Sequence, residues 1–133
     1  MNLLLDTHVW LWAVEAPEIL GRRTRALLQN SSNDRLVSAI SALEIARLCM
    51  DQSIIFSIGQ KPWMELSTRD LQLRHVSVEY PVAVEAYALP GPFHRDPADR
   101  ILVATARMRQ ATFLTADKRI LAYPYVKTID CRK

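Results

Sequence analysis

The 133-residue chain is 50% hydrophobic and carries 17 Lys and Arg against 14 Asp and Glu, a formal net charge of +3. This length and hydrophobic content suit a single α/β domain covering residues 1–133, and the mild basic excess favours an anionic partner without requiring one. The three glycines cannot form a phosphate-binding P-loop or a dinucleotide-binding glycine motif, so nucleotide-cofactor enzymes of those types are excluded.

The cysteines and the apolar segments bear on the compartment. Cys49 and Cys131 form no C-x-x-C pair, so we expect neither a structural zinc site nor a disulfide framework, which fits a reducing cytosol. The apolar run at the N-terminus meets an acid at Asp6 and is too short for a signal peptide or a membrane span. We therefore predict a cytoplasmic protein without membrane contact.

The first half of the chain contains short apolar runs that alternate with capped or polar helical segments. Asp6 and Thr7 end the first run and start a helix. Ser41 and Glu44 have the S-x-x-E spacing of a capping box, which predicts the start of another helix. The predicted elements are a strand at 3–5, a helix at 7–14, a helix at 21–29, a strand at 35–37 and a helix at 41–50.

The second half has one strong start signal: Asp96 is placed as an N-cap, with Pro97 at the first helical position and Asp99 at the third. Elsewhere the patterns are shorter. The predicted elements are an edge segment at 54–58, a helix at 62–71, a strand at 75–78, helices at 82–89 and 100–108, and strands at 112–115 and 125–129.

Strands that alternate with helices predict right-handed βαβ crossovers, and therefore a mostly parallel sheet covered on both faces. In such sheets functional residues lie at the carboxyl ends of the strands. Four acids stand at the predicted turns. Each of them alone is explained more simply as a helix cap or a first-turn residue. They are Asp6, Glu44, Asp99 and Asp117.

The joint arrangement of these acids favours a metal site over four separate caps. Carboxylates that share a pocket repel one another and raise each other's pKa unless a cation neutralises them. Ligands that are all oxygen indicate Mg²⁺ or Mn²⁺ rather than zinc. Such an ion can polarise a water molecule and bind phosphate oxygens, which is the chemistry of phosphodiester hydrolysis.

Other polar residues near these turns have two interpretations. Asp96 is interpreted as a structural N-cap. His8 and His94 show no zinc spacing and are expected to make ordinary hydrogen bonds. Arg95 and Arg100 flank the acids, where they could orient a phosphate or, with equal weight, pair with Asp96 or Asp99.

Four motifs occur in order along the chain: Leu-Leu-Asp-Thr-His, Ser-x-x-Glu-Ile, His-Arg-Asp-Pro-x-Asp-Arg and Leu-Thr-x-Asp. Together they resemble the PIN-domain family, and specifically the VapC toxins of type II toxin–antitoxin systems. One departure follows Glu44: relatives often carry a Lys-Gly turn, where this chain has Asp-Gln-Ser at 51–53.

The resemblance implies a three-layer α/β/α sandwich with sheet order 3-2-1-4-5, in which Asp6 and Asp117 face each other. It implies that Asp6, Glu44, Asp99 and Asp117 bind the metal and act in catalysis. Thr7, Thr115 and Arg100 match its supporting positions. The implied activity is metal-dependent cleavage of single-stranded regions of RNA, often transfer RNA, restrained by a cognate antitoxin.

The first helix also suggests a partner surface. Residues 9–14 are apolar around nearly the whole helix circumference, whereas a helix with one core face should be amphipathic. Trp10 and Trp12 could therefore line a groove for an antitoxin segment or for a second protomer of a homodimer. Enclosure of the helix between two layers of the fold explains the pattern equally well.

Two rival functions are kept. A receiver-like phospho-acceptor domain also gathers acids and Mg²⁺ at the end of a parallel sheet, but it requires an acidic pair and a lysine that this chain lacks at the matching places. A non-catalytic RNA-binding or antitoxin-binding module would be favoured if any of the four carboxylates were missing. All four are present.

Overall fold

The computed structural model describes all 133 residues as seven α-helices around one five-stranded sheet. A 3-10 turn at Pro17–Ile19 follows the first helix. The strands are β1 (Asn2–Leu5), β2 (Asp34–Ser38), β3 (Leu73–Val76), β4 (Thr112–Thr115) and β5 (Thr128–Asp130). The helices are α1 (Thr7–Glu15), α2 (Arg22–Gln29), α3 (Ala39–Met50), α4 (Gln60–Asp70), α5 (Tyr80–Glu85), α6 (Pro97–Met108) and α7 (Lys118–Leu121).

The sheet is parallel throughout, with the strand order β3-β2-β1-β4-β5. This order and the parallel pairing confirm the predicted architecture. β1 lies at the centre, with Leu4 paired to Leu36 of β2 and Leu5 paired to Leu114 of β4. The chain reverses its direction of travel across the sheet between β1 and β4, so the carboxyl ends of these two strands flank the topological switch point.

The alternation of side chains along β1 divides the interior into two cores. Leu3 and Leu5 point to the face that α1, α3 and α4 cover, and Leu4 points to the face that α6 covers. All three side chains are fully buried. A strand buried on both faces is read in sequence as an unbroken apolar run, which is why residues 3–5 are easy to assign.

Helix α1 is enclosed by the fold, so the prediction that Trp10 lines a partner groove is wrong. Its side chain is fully buried, and its indole Nε1 donates to Ser67 Oγ at 3.0 Å. Its ring packs against the ring of Trp63, with 5.6 Å between centroids. The apolar circumference of α1 arises because the sheet covers one side of the helix and α4 covers another. Trp12 is half-buried and contacts the ring of His8 instead.

Several predicted boundaries differ from the structure. No strand forms at 54–58, which is irregular, and β3 starts at Leu73, two residues before the predicted 75–78 strand. Helix α5 ends at Glu85 rather than at residue 89. The short helix α7 was not predicted. These segments are short and lie at an edge of the sheet or in the connections between its strands, where local periodicity carries little information.

Two exclusions made from the sequence can be compared with the structure. Cys49 and Cys131 are both free thiols, as expected. None of the helices combines the length and the hydrophobicity that crossing a bilayer would require.

Candidate active site

The four predicted acids line one cavity of about 380 Å³ at the carboxyl end of the sheet. Asp6 follows β1 directly, and its backbone N–H donates to the carbonyl of Leu114 on β4 at 3.0 Å. Asp117 follows β4 after one further residue. The other two acids are carried by helices α3 and α6. The cavity is lined by Asp6, Thr7, His8, Trp12, Glu44, Asp96, Asp99, Ala116, Asp117 and Arg119.

Asp6 is held at the centre of the cavity by two hydrogen bonds. One carboxylate oxygen accepts from the backbone N–H of Thr7 at 2.8 Å, which makes Asp6 the N-cap of α1. The other accepts from Thr115 Oγ1 at 2.6 Å. The same threonine oxygen accepts from the backbone N–H of Asp117 at 3.0 Å. Thr115 therefore links the two acids that follow β1 and β4.

Glu44 faces the same cavity, and the predicted capping box is wrong. Helix α3 starts earlier than predicted, at Ala39, with Ser38 as its N-cap. Glu44 is consequently in the second turn, too far from the helix start to cap it. Its carboxylate instead accepts from Thr7 Oγ1 at 2.5 Å, and Ser41 Oγ lies 2.9 Å from the same threonine oxygen. The main structural alternative for Glu44 is therefore removed.

Asp99 occupies the third position of α6 without bonding back to the helix start. The N-cap is Asp96, as predicted, which accepts from the backbone N–H groups of Ala98 and Asp99 at 2.9 and 3.3 Å. The carboxylate of Asp99 lies 2.6 Å from Nε2 of His94. His94 therefore orients Asp99 toward the cavity, a role that its position in the sequence did not indicate.

Arg119 is the cation of the cavity, and it was not predicted. Its guanidinium lies 3.3 Å from the carboxylate of Asp117 and 3.8 Å from that of Asp99. Asp117 also caps α7, accepting from the backbone N–H of Arg119 at 2.8 Å. The one local signal was an arginine two residues after an acid in the turn that follows a strand, and such spacing is common in turns.

Arg100, the predicted supporting cation, lies outside the cavity. Its guanidinium donates to three backbone carbonyls, those of Ala86, Phe93 and His94, at 2.9 to 3.0 Å. It also lies over the ring of Tyr87, 5.1 Å from the centroid. Arg100 thus holds the 86–94 segment against α6. Arg95 is exposed and does not line the cavity either.

Burial and mutual repulsion act on these carboxylates in the same direction. Burial is the largest cause that raises the pKa of Asp6, Glu44 and Asp99, and neighbouring carboxylates raise each of them further. Asp117 is the exception: partial burial opposes the change, but the hydrogen bonds and the charge of Arg119 lower its pKa. The cavity therefore holds more negative charge than its one arginine offsets.

This donor set fits a hard divalent cation. The side chains that converge are carboxylates and hydroxyls, the oxygen ligands that Mg²⁺ and Mn²⁺ prefer, and a cation would offset the repulsion by which neighbouring carboxylates raise the pKa of Asp6, Glu44 and Asp99. No three His, Cys, Asp or Glu side chains already stand at the spacing of ligands around one ion. Binding would therefore require the carboxylates to turn toward the cation.

Comparison with known proteins places this geometry in a family. The PIN domain model matches residues 3–124. Ribonuclease VapC22 of Mycobacterium tuberculosis is 30% identical over 128 residues, which cover 96% of each chain. VapBC2 from Rickettsia felis, solved bound to a DNA fragment from its promoter, superimposes with a TM-score of 0.70 at 15% identity, over 97% of this chain and 98% of that one.

A toxin–antitoxin complex from Klebsiella pneumoniae superimposes with a TM-score of 0.63 at 21% identity, over 96% of both chains. At these identities the two solved structures bear on the fold alone. The family model, by contrast, spans all four cavity acids, and the mycobacterial relative matches nearly the whole chain. The chain belongs to the PIN-domain family.

Proposed function

We propose that this chain is a metal-dependent endoribonuclease that hydrolyses phosphodiester bonds in single-stranded regions of RNA, with transfer RNA as the first substrate to test. One observation carries the proposal: four carboxylates from four separate segments line a single cavity, and three of them have a raised pKa. Acids that only cap helices have no reason to gather around one cavity. The likeness to a protein named as a ribonuclease supports RNA as the substrate.

Asp6, Glu44, Asp99 and Asp117 would hold Mg²⁺ or Mn²⁺ at the cavity. When bound, the ion supplies a polarised water and neutralises charge that develops on the phosphate. Hydrolysis adds that water across one P–O bond, leaving a hydroxyl on one fragment and a phosphate on the other. The task of the remaining residues is to position these groups.

The positioning residues can be assigned from their hydrogen bonds. Thr7 donates to Glu44 and Thr115 donates to Asp6, so each hydroxyl orients one carboxylate. His94 does the same for Asp99. The side chain of Arg119 is 62% exposed at the mouth of the cavity. Its N–H donors, which now lie 3.3 Å from the carboxylate of Asp117, would be within reach of a phosphate oxygen of the substrate.

We further propose that the chain is the toxin of a type II toxin–antitoxin pair and forms a homodimer. Structures with similar folds are those of toxin–antitoxin complexes. With Trp10 buried, the apolar groove between α1 and α4 is the better docking surface. It has a volume of about 370 Å³, and Val14, Ile58 and Leu66 on its walls are 37 to 47% exposed. An amphipathic antitoxin segment would bury these side chains.

The direct test is cleavage of total cellular RNA by purified protein with Mn²⁺ or Mg²⁺, and again with EDTA. Asp6→Asn is the inactive variant. Asp51→Asn is the matched control, because Asp51 is an exposed residue at the C-terminal end of α3, forms an ion pair with Arg47 and does not line the cavity. We expect discrete, metal-dependent cuts from the parent and from Asp51→Asn, and none from Asp6→Asn.

Equal behaviour of parent and Asp6→Asn would overturn the catalytic proposal. RNA binding without cleavage would then favour a non-catalytic RNA-binding module. Expression in a bacterial host tests the toxin assignment: growth should stop with the parent and continue with Asp6→Asn. Co-expression of the gene product encoded beside this chain should restore growth if that product is the antitoxin.

A further inference from the structure

A second groove, which we call the aromatic groove, adjoins the acid cavity. It has a volume of about 570 Å³, and Arg119 lines both spaces. His94 connects them as well: its ring lines the aromatic groove, while its Nε2 lies 2.6 Å from the carboxylate of Asp99 in the cavity. An RNA chain with one phosphate at the acids would therefore have this groove within reach of a neighbouring nucleotide.

Four rings follow one another along the aromatic groove. The centroids of His94 and Phe93 are 4.2 Å apart, those of Phe93 and Tyr123 are 4.7 Å apart, and those of Tyr123 and Tyr125 are 5.5 Å apart. Tyr123 is buried, and its hydroxyl donates to the carbonyl of Pro90 at 2.5 Å. Packing of the 90–94 segment against the 122–125 segment accounts for the inner rings of this series.

Packing does not account for Tyr125, which ends the series 48% exposed. Its backbone carbonyl accepts from Arg107, and its ring lies against Gly91, whose φ is +65°. A Cβ on Gly91 would lie 3.1 Å from Cε2 of Tyr125, so the backbone approaches the ring closely. The ring is thus held in place on one side and open to solvent on another. An aromatic surface ordered before binding loses little entropy when a ligand stacks on it.

We infer that the aromatic groove binds an unpaired base of the RNA, next to the phosphate at the acid cavity, by stacking on Tyr125, with Arg119 contacting the phosphate between the two sites. This inference rests on the proposed function and extends it. Aromatic rings stack bases of any sequence, and a base within a duplex has both faces covered already. The groove would therefore select single-stranded substrates by the availability of a free base.

The charges around the groove agree with this ligand. Arg119 lies at its junction with the acid cavity, and Lys118 is exposed on the same helix. None of the residues that line the groove is acidic. A peptide could also stack on tyrosine, but it would not offer a phosphate to Arg119 next to an acid cavity, so a nucleotide chain is the better match.

The test measures binding of a fluorescein-labelled, unstructured hexaribonucleotide by anisotropy. It is run in two buffers without Mg²⁺ or Mn²⁺, one with EDTA and one with Ca²⁺, to prevent cleavage. Tyr125→Ala should weaken binding by about 5- to 10-fold, the lower part of the range for one stacked base. Tyr125→Phe keeps the ring and should bind like the parent. Tyr80→Ala is the matched control, because Tyr80 is an 82% exposed tyrosine on α5 that lines neither space.

A second arm uses the unmodified protein, so it does not depend on the folding of any variant. A hexamer of the same backbone with abasic residues should bind the parent at least as weakly as the complete hexamer binds Tyr125→Ala. Equal binding of abasic and complete hexamers by the parent would overturn the inference, and so would parental affinity in Tyr125→Ala. If either occurs while the parent still cuts cellular RNA, the aromatic groove has failed alone and the proposed function stands.

Discussion

Asp6→Asn separates the catalytic interpretation of the cavity from the capping one, because the change removes a charge and preserves the shape of the side chain. The amide oxygen can still accept from the N–H of Thr7, and the amide nitrogen can donate to Thr115 Oγ1 in place of the present bond. Two charge-assisted hydrogen bonds become neutral ones, and a buried carboxylate whose pKa is raised by burial is removed. We expect the free energy of unfolding in EDTA to change by no more than about 1 kcal/mol.

The effect of metal should differ sharply between the two proteins. An ion at 100 times its dissociation constant stabilises the folded parent by about 2.7 kcal/mol. For a chain of 133 residues, each kcal/mol corresponds to roughly 3 to 4 °C in Tm, so Mn²⁺ should raise the parental Tm by roughly 10 °C. Asp6→Asn should lose most of this rise, because Asp6 lies between the two strand ends at the centre of the site.

The assay is thermal unfolding of parent, Asp6→Asn and Asp6→Ala, each with EDTA and with Mn²⁺. Asp6→Ala also removes the N-cap of α1 and should melt below Asp6→Asn in EDTA, by the roughly 3 to 7 °C that a cap worth about 1 to 2 kcal/mol implies. If Asp6→Asn melts as low as Asp6→Ala in EDTA, the amide does not replace the carboxylate as N-cap and the capping interpretation gains. If Asp6→Asn keeps the full rise with Mn²⁺, the assignment of Asp6 as a metal ligand is refuted.

Three further predictions concern neighbouring groups. Burial raises the pKa of Asp6 above its unfolded value of 3.8, so the stability that Asp6 contributes is full below that value and is lost as pH rises through the folded pKa. In urea unfolding in EDTA, the free energy of unfolding of Asp6→Asn should therefore rise relative to that of the parent from about pH 4 upward. A difference that stays constant with pH would contradict this. Arg100→Gln should lower the free energy of unfolding by about 1 to 3 kcal/mol, because three backbone carbonyls lose their donors, and should leave cleavage per folded molecule unchanged. Arg119→Gln should do the reverse: it should reduce cleavage without lowering Tm. Trp10→Ala should destabilise the fold by about 3 to 5 kcal/mol in urea unfolding, and a loss below about 1 kcal/mol would contradict the burial of its indole.

The acids illustrate how far local sequence patterns predict the site. Asp6 and Asp117 follow apolar runs that are short enough to be strands, and parallel strands bring such ends to one edge of a sheet. Asp96, Pro97 and Asp99 start a helix at the positions that the sequence predicts. These signals are local: each depends on a few adjacent residues, whose backbone geometry is the same in any fold that contains the element.

The partners of those acids could not be predicted in the same way. Glu44 has the spacing of a capping residue, but its carboxylate accepts a hydrogen bond from Thr7, 37 positions away. The reason is that the N-cap of α3 is Ser38, three residues before the N-cap that the capping box predicts. Arg119 rather than Arg100 lines the cavity, because the carbonyls of the 86–94 segment, which packs against α6, accept the hydrogen bonds of the Arg100 guanidinium. Nothing within either arginine's local sequence distinguishes the two roles.

The amino-acid sequence by itself determined the alternation of strands and helices, the placement of four acids at turns, and the membership of a family that could be identified from its motifs. Only the tertiary structure decided which side chains fill the space around those acids. Trp10 is buried because its indole packs against α4, and Tyr125 is half exposed in the aromatic groove, whereas the 90–94 segment covers the neighbouring Tyr123. Local patterns record backbone preference, whereas these contacts join residues that are distant along the chain and are settled by packing.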